Sequence, residues 1–253
     1  GGLLDVLLRA FEKESGIRVK TAAVGSGAAL ALGARGEADV MLVHAPDAER
    51  RWMAQGHGKL RLPVMHNEFV IVGPASDPAG LHSIRDAAQA LARVAMTATR
   101  WVSRDDGSGT DLRERELWKA SGRADVAGAP PSLARPWHIR SGQGMGPTLM
   151  LADARQACTL TDRGTWLAWR SKLGLVELVR GDPRLRNEYH VITVRPEGFP
   201  TGQVHAGEAF AFARWITGPR ARALIGSFGP DRHGEPLFVP ASPGTAIPPA
   251  RVR

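Results

Sequence analysis

Leu3, Leu4, Leu7, Leu8 and Phe11 recur at helical spacing and share one face, which predicts a helix over residues 3–14, with Gly16 as its C-terminal cap. IRVKTAAV, residues 17–24, reads as a strand, and GSGAALALG as a short helix entered through glycine. ADVMLVH, 38–44, carries the apolar run VMLV and predicts a buried strand of the parallel type. Pro46 then opens a helix that runs to Gly56. Strands alternating with helices are the mark of an α/β fold.

A second alternating series follows the long β-prone run MHNEFVIVGP, 65–74. It comprises a helix near 83–94, the strand WVS, a helix after Thr110 and a Gly/Pro-rich loop at 122–136. A helix from Pro147, the strand CTLTD, a helix at 164–173 and the strand LVELV come next. YHVITVR, 189–195, is another long strand; helices at about 206–217 and 219–227 precede a Pro-rich tail from Ala241 that is expected to be unstructured. If both long strands cross between lobes, residues 1–68 plus 192–253 form one lobe and 69–191 the other. The expected architecture is a hinged, two-lobed α/β protein of mostly parallel sheets with a ligand cleft between the lobes, faced by strand-to-helix turns.

At 253 residues, 43% hydrophobic and 23% charged, the chain has the composition of a globular protein and enough length for a substantial core. No apolar run approaches the roughly 18 residues of a membrane span. A single cysteine, Cys158, excludes an internal disulfide and a cysteine-based zinc cage, and reads as a small buried hydrophobe. The formal charge of +8 would suit an anionic partner, but the basic residues are scattered and not interleaved with aromatics, which argues against nucleic acid.

The chemistry points to anion binding without catalysis. Helix N-termini leave backbone N–H groups unpaired and carry about half a positive charge, so an anion is stabilised there. In SRDDGSGTDLRERELW, residues 103–118, Gly107 and Gly109 let the backbone come close, Ser108 and Thr110 offer hydroxyls and Arg104 a permanent charge. Ser108 with Asp111 is equally a capping box, and both readings stand. VGSGAAL, 24–30, repeats the logic with Ser26 between Gly25 and Gly27; SGQGMGPTL, 141–149, is a third glycine-rich helix entry, without the spacing of a dinucleotide fingerprint. His44 and His66 read as ordinary strand or loop residues, and Asp162 as an N-cap. No acid, base and nucleophile stand at a recognisable spacing, so no catalytic residue, cofactor or metal-cation site is expected.

The blocks GLLDVLLRAFEKESGIRVKTAAVGSG, GEADVMLVHAP, NEFVIVGPASDPAG, WVSRDDGSGT, ELWKASG, SGQGMGPTL, TLTDRGTWLA and GEPLFVP, in this order, resemble the periplasmic tungstate-binding proteins of ABC importers almost from end to end. The resemblance implies a type II substrate-binding fold that captures tungstate or molybdate, with no cofactor, and hands it to a membrane permease driven by an ATPase. It implies a periplasmic monomer whose export signal has been removed. By the matching blocks it assigns the anion to Ser26, Gly27, Arg104, Ser108, Gly109, Thr110, Gly144 and Met145. A different use of the same architecture is an oxyanion-sensing effector module of a cytoplasmic regulator.

Two departures stand out. The family pattern is closer to SRGDDSGT, whereas this chain reads SRDDGSGT. Family members also carry a strand and a TTTS turn before the first helix, while this sequence opens at GGLLDVLL. The expectation is that this segment is left out and not lost, since loss of a central strand would leave backbone groups unpaired.

Overall fold

The computed structural model describes residues 2–126, 135–229 and 236–244. Residues 127–134 of the expected Gly/Pro-rich loop and 245–253 of the expected tail lie outside the described residues. The chain begins with α1 (Leu3–Ser15), α2 (Ser26–Ala34), β1 (Val40–Val43), α3 (Pro46–Ala54), β2 (Gly58–Pro74), α4 (Ala87–Thr97) and β3 (Trp101–Ser103). It continues with α5 (Gly109–Ala120), β4 (His138–Arg140), α6 (Met145–Arg155), β5 (Cys158–Asp162), α7 (Arg163–Trp169) and β6 (Leu175–Val179). The last elements are β7 (Arg186–Val194), α8 (Ala206–Ile216), α9 (Pro219–Gly226) and β8 (Val239–Pro240). Among the described residues no helix is long and apolar enough to cross a membrane.

Two compact units divide the chain: Gly1–His66 with Asn187–Arg253, and Asn67–Arg186. In the first unit α1 buries Leu3, Leu7 and Phe11 and ends at Gly16, whose φ of 73° is the left-handed cap that glycine adopts without a Cβ penalty. These residues join Val64, Met65, Val191, Phe212, Ile216 and Ile225 in one core, with Phe11 edge-on to Phe212 at 5.1 Å. β1 lies antiparallel to β7, Val40 opposite Thr193 and Val43 opposite His190. The parallel pairing expected for residues 38–44 is therefore corrected: a continuous apolar run reports burial, and the direction of the partner is not written in it.

Residues 17–24, expected as a strand, are not one. No strand among the described residues pairs with them, and the Val19 amide donates instead to Glu12 Oε1 at 2.7 Å. Alternating β-branched residues favour a pleated surface, but without a ladder they remain an unpaired extended segment.

The second unit is a sheet in which β5, β3 and β4 lie side by side and parallel, Trp101 facing both Cys158 and His138. β2 runs antiparallel to β5 and to β6. The sheets are thus mixed, with parallel pairing among the described ladders confined to β3 and its two neighbours, less than the sequence suggested. The core gathers Phe69, Ile71, Leu91, Trp101, Leu117, Trp118 and Leu160, and Cys158 is fully buried within it. Burial pushes the Cys158 thiol up to about 12, so it behaves as the apolar filler expected. α4 starts at Ala87, later than the apolar pattern suggested, because Asp86 caps it by accepting from the Gln89 amide at 2.9 Å. β4, only three residues long, had no periodicity to announce it.

Candidate functional site

The topology of the second unit places helix starts in a row. β3 leads into α5, β4 into α6 and β5 into α7, so the carboxyl ends of three adjacent parallel strands open onto three helix N-termini. The first two turns are joined by backbone bonds: the Ser103 carbonyl accepts from the Ser141 amide at 2.8 Å and the Arg104 carbonyl from the Gly142 amide at 2.9 Å. The structure therefore brings together the turns carrying Arg104, Ser108, Gly109 and Thr110 and those carrying Gly144 and Met145. Ser26 and Gly27 belong to the other unit.

Within 103–111 the acidic residues set the geometry. Asp105 has a φ of 47°, a left-handed conformation that aspartate tolerates better than most residues, and Gly107 has a φ of 72°. The resemblance read from the sequence implies glycine at this position, and here an aspartate side chain stands on a backbone that suits glycine. Asp105 uses that side chain, accepting from Arg115 at 3.0 Å and lying 3.6 Å from Arg140. Asp111, only 2% exposed, accepts from the Gly107 amide at 3.0 Å and from Arg115 at 3.1 Å.

Ser108 is the N-cap of α5, its Oγ accepting from the Asp111 amide at 3.3 Å. The capping role weighed for Ser108 is thus realised. Gly109 opens the helix and is exposed, while Thr110 is 6% exposed. Arg104 is ion-paired with Asp106, and its Nε is buried without a hydrogen-bond partner. Burial pushes the Asp106 carboxyl up, but hydrogen bonds from the Ser108 hydroxyl and amide and from Arg104 outweigh it and hold the group below its usual range.

Gly144 is the N-cap of α6 and Met145, 8% exposed, its first residue. Thr148 braces this turn, donating to the Gly144 carbonyl at 2.9 Å and lying 2.9 Å from Ser141 Oγ. A Cβ added at Gly146 would meet the Trp169 ring at 2.7 Å, so only glycine fits the approach of α6 to that indole. At the third turn Asp162 caps α7, accepting from the Thr165 amide at 2.8 Å and the Thr165 hydroxyl at 2.7 Å, as expected.

In the first unit Ser26 opens α2 and its Oγ accepts from the His44 amide at 3.1 Å, tying the helix start to the end of β1. Gly27 is exposed, with nothing within 4 Å of an added Cβ. Beneath the following turn lies a group the sequence reading missed. Glu49, fully buried, accepts from the Ala45 amide at 2.7 Å and Arg61 Nε at 2.9 Å, and stands 3.0 Å from His190 Nδ1. His44 Nδ1 lies 3.2 Å from Asn187 Oδ1, an ordinary structural contact. Among the described residues no group of three or more His, Cys, Asp or Glu could hold a metal ion.

The PBP superfamily domain matches residues 1–220 of this chain. The tungstate-binding protein TupA of Peptoclostridium acidaminophilum is 42% identical over 241 residues, spanning 94% of this chain and 81% of that protein. TupA of Campylobacter jejuni is 37% identical over 242 residues, with 94% and 86% covered. The solved structure of the tungstate-binding protein TupA from Desulfovibrio alaskensis G20 superposes with a TM-score of 0.83 at 38% identity, covering 95% of this chain and 94% of that one.

Proposed function

This chain belongs to the tungstate-binding proteins of the PBP superfamily, and from that membership we propose that it is a periplasmic solute-binding protein that captures tungstate or molybdate for an ABC importer. The observation that carries the reading is the junction of two helix-opening turns at the carboxyl edge of β3 and β4, in which the Arg104 carbonyl accepts one of the joining bonds. A doubly charged tetrahedral anion presents four acceptor oxygens and no donors. The amides, hydroxyls and guanidinium of these turns are its chemical complement.

On this reading Arg104, Ser108, Gly109, Thr110, Gly144 and Met145 of the second unit hold the anion. Charge-assisted hydrogen bonds of about 1.5–3 kcal/mol each would give tight binding from a handful of contacts. Binding is the whole activity; the loaded monomer docks on a membrane permease whose ATPase drives import. Tungstate and molybdate share shape and charge, so the site takes both. Titration calorimetry with tungstate, molybdate, sulfate and phosphate tests this. The expected result is one tight site per chain for the first two and weak or no heat for the others; silence with tungstate and molybdate would end the proposal.

A further inference from the structure

We propose that Asp106 is a built-in stand-in for the anion: a carboxylate of the chain itself that occupies the donors of the second unit's site and must leave before an oxyanion is taken up. The inference rests on the oxyanion-binding reading above. Asp106 Oδ2 is ion-paired with Arg104 Nη2 and Asp106 Oδ1 accepts from the Ser108 amide at 3.1 Å. One guanidinium and one helix-terminal amide thus converge on a single anionic group. Those are two kinds of donor the turn would offer a tetrahedral oxyanion.

The other acids of the turn do different work. Asp105 is directed at Arg115 and Arg140, and Asp111 is fixed by the Gly107 amide and Arg115. Asp106 alone of the three is paired with Arg104, and its side chain is 20% exposed against 2% for Asp111, so it has solvent to move into. Two anions cannot share one guanidinium edge and one amide at contact distance without strong repulsion. Uptake of the ligand therefore requires Asp106 to rotate away, and apparent affinity is lowered by the fraction of molecules in which it has not. Asp106 would set how tightly the site holds its anion.

Calorimetry with sodium tungstate on the full chain, comparing wild type with Asp106→Asn and Asp106→Ala, tests the inference. Both variants are expected to bind about tenfold tighter or more. Equal or weaker binding by the variants, with wild type still binding, would overturn the stand-in role and leave the proposed function intact. No binding by wild type would defeat the functional reading itself, and this inference with it. A second measurement needs no substitution: the carboxyl carbon resonance of Asp106 in the wild-type chain should shift as tungstate saturates the protein. An unmoved resonance at saturation would also overturn the inference.

Discussion

Among the described residues each unit buries one glutamate, and the two are satisfied by different donors. Glu49 is fully buried and meets Arg61, 12 residues on, and His190, far along the chain, besides the Ala45 amide. Glu114, 2% exposed, accepts from two indoles, Trp101 Nε1 at 2.9 Å and Trp118 Nε1 at 3.0 Å, and His138 Nε2 lies 3.7 Å away. At these two carboxylates the first unit uses a guanidinium and an imidazole, and the second uses chiefly indole N–H donors. The difference teaches where loss of a buried carboxylate should be felt most: at Glu49 more than at Glu114.

The largest expected effect falls on the ionic side. Glu49→Ala strands Arg61 and His190 without their carboxylate and should cost about 3–5 kcal/mol, measured by denaturant unfolding. Burial pushes the Glu49 carboxyl up, yet His190, the Ala45 amide and Arg61 together hold it below its usual range. A depressed carboxyl contributes stability above its unfolded value, about 4.3, and that contribution disappears as pH falls through the folded value. Wild type should therefore lose stability on acidification through that window, and Glu49→Gln should lose less; equal acid profiles would break the contrast between the units.

Glu114→Ala is expected to cost less, about 2 kcal/mol, because two buried indole N–H groups lose an acceptor while a buried charge is relieved. A loss as large as that of Glu49→Ala would erase the distinction drawn here. Smaller again is Ser26→Ala, expected to lower stability by about 1 kcal/mol through the His44 amide left without its acceptor. Tungstate affinity measured on the same variant sharpens the point: a drop beyond the stability change assigns the hydroxyl to the anion as well as to the turn.

Local signals in the sequence carried much of this. The apolar face of α1 at Leu3, Leu7 and Phe11, though not the exposed Leu4, with Gly16, the runs WVS, CTLTD and LVELV, and the Asp162 cap were legible because each depends on neighbours a few residues away. Pairing was not legible. Residues 17–24 have strand composition without a ladder, and β1 gave no hint of its antiparallel partner 150 residues on. At the site, the residue types of the turn at 103–111 pointed to anion chemistry, but the Arg104–Asp106 pair and the Asp105 backbone arise from the path of the turn. Glu49, Arg61 and His190 meet only after folding, and a helical glutamate among other charges carries no mark of burial.

The central claim is that the guanidinium of Arg104 grips the oxyanion and does little for the fold. Titration of tungstate into Arg104→Ala, alongside wild type and with thermal unfolding of both unliganded proteins, tests it most directly. The account predicts affinity weaker by about 1.5–3 kcal/mol, roughly tenfold to a hundredfold or more, with the unliganded unfolding temperature nearly unchanged. Undiminished affinity in that variant would contradict it.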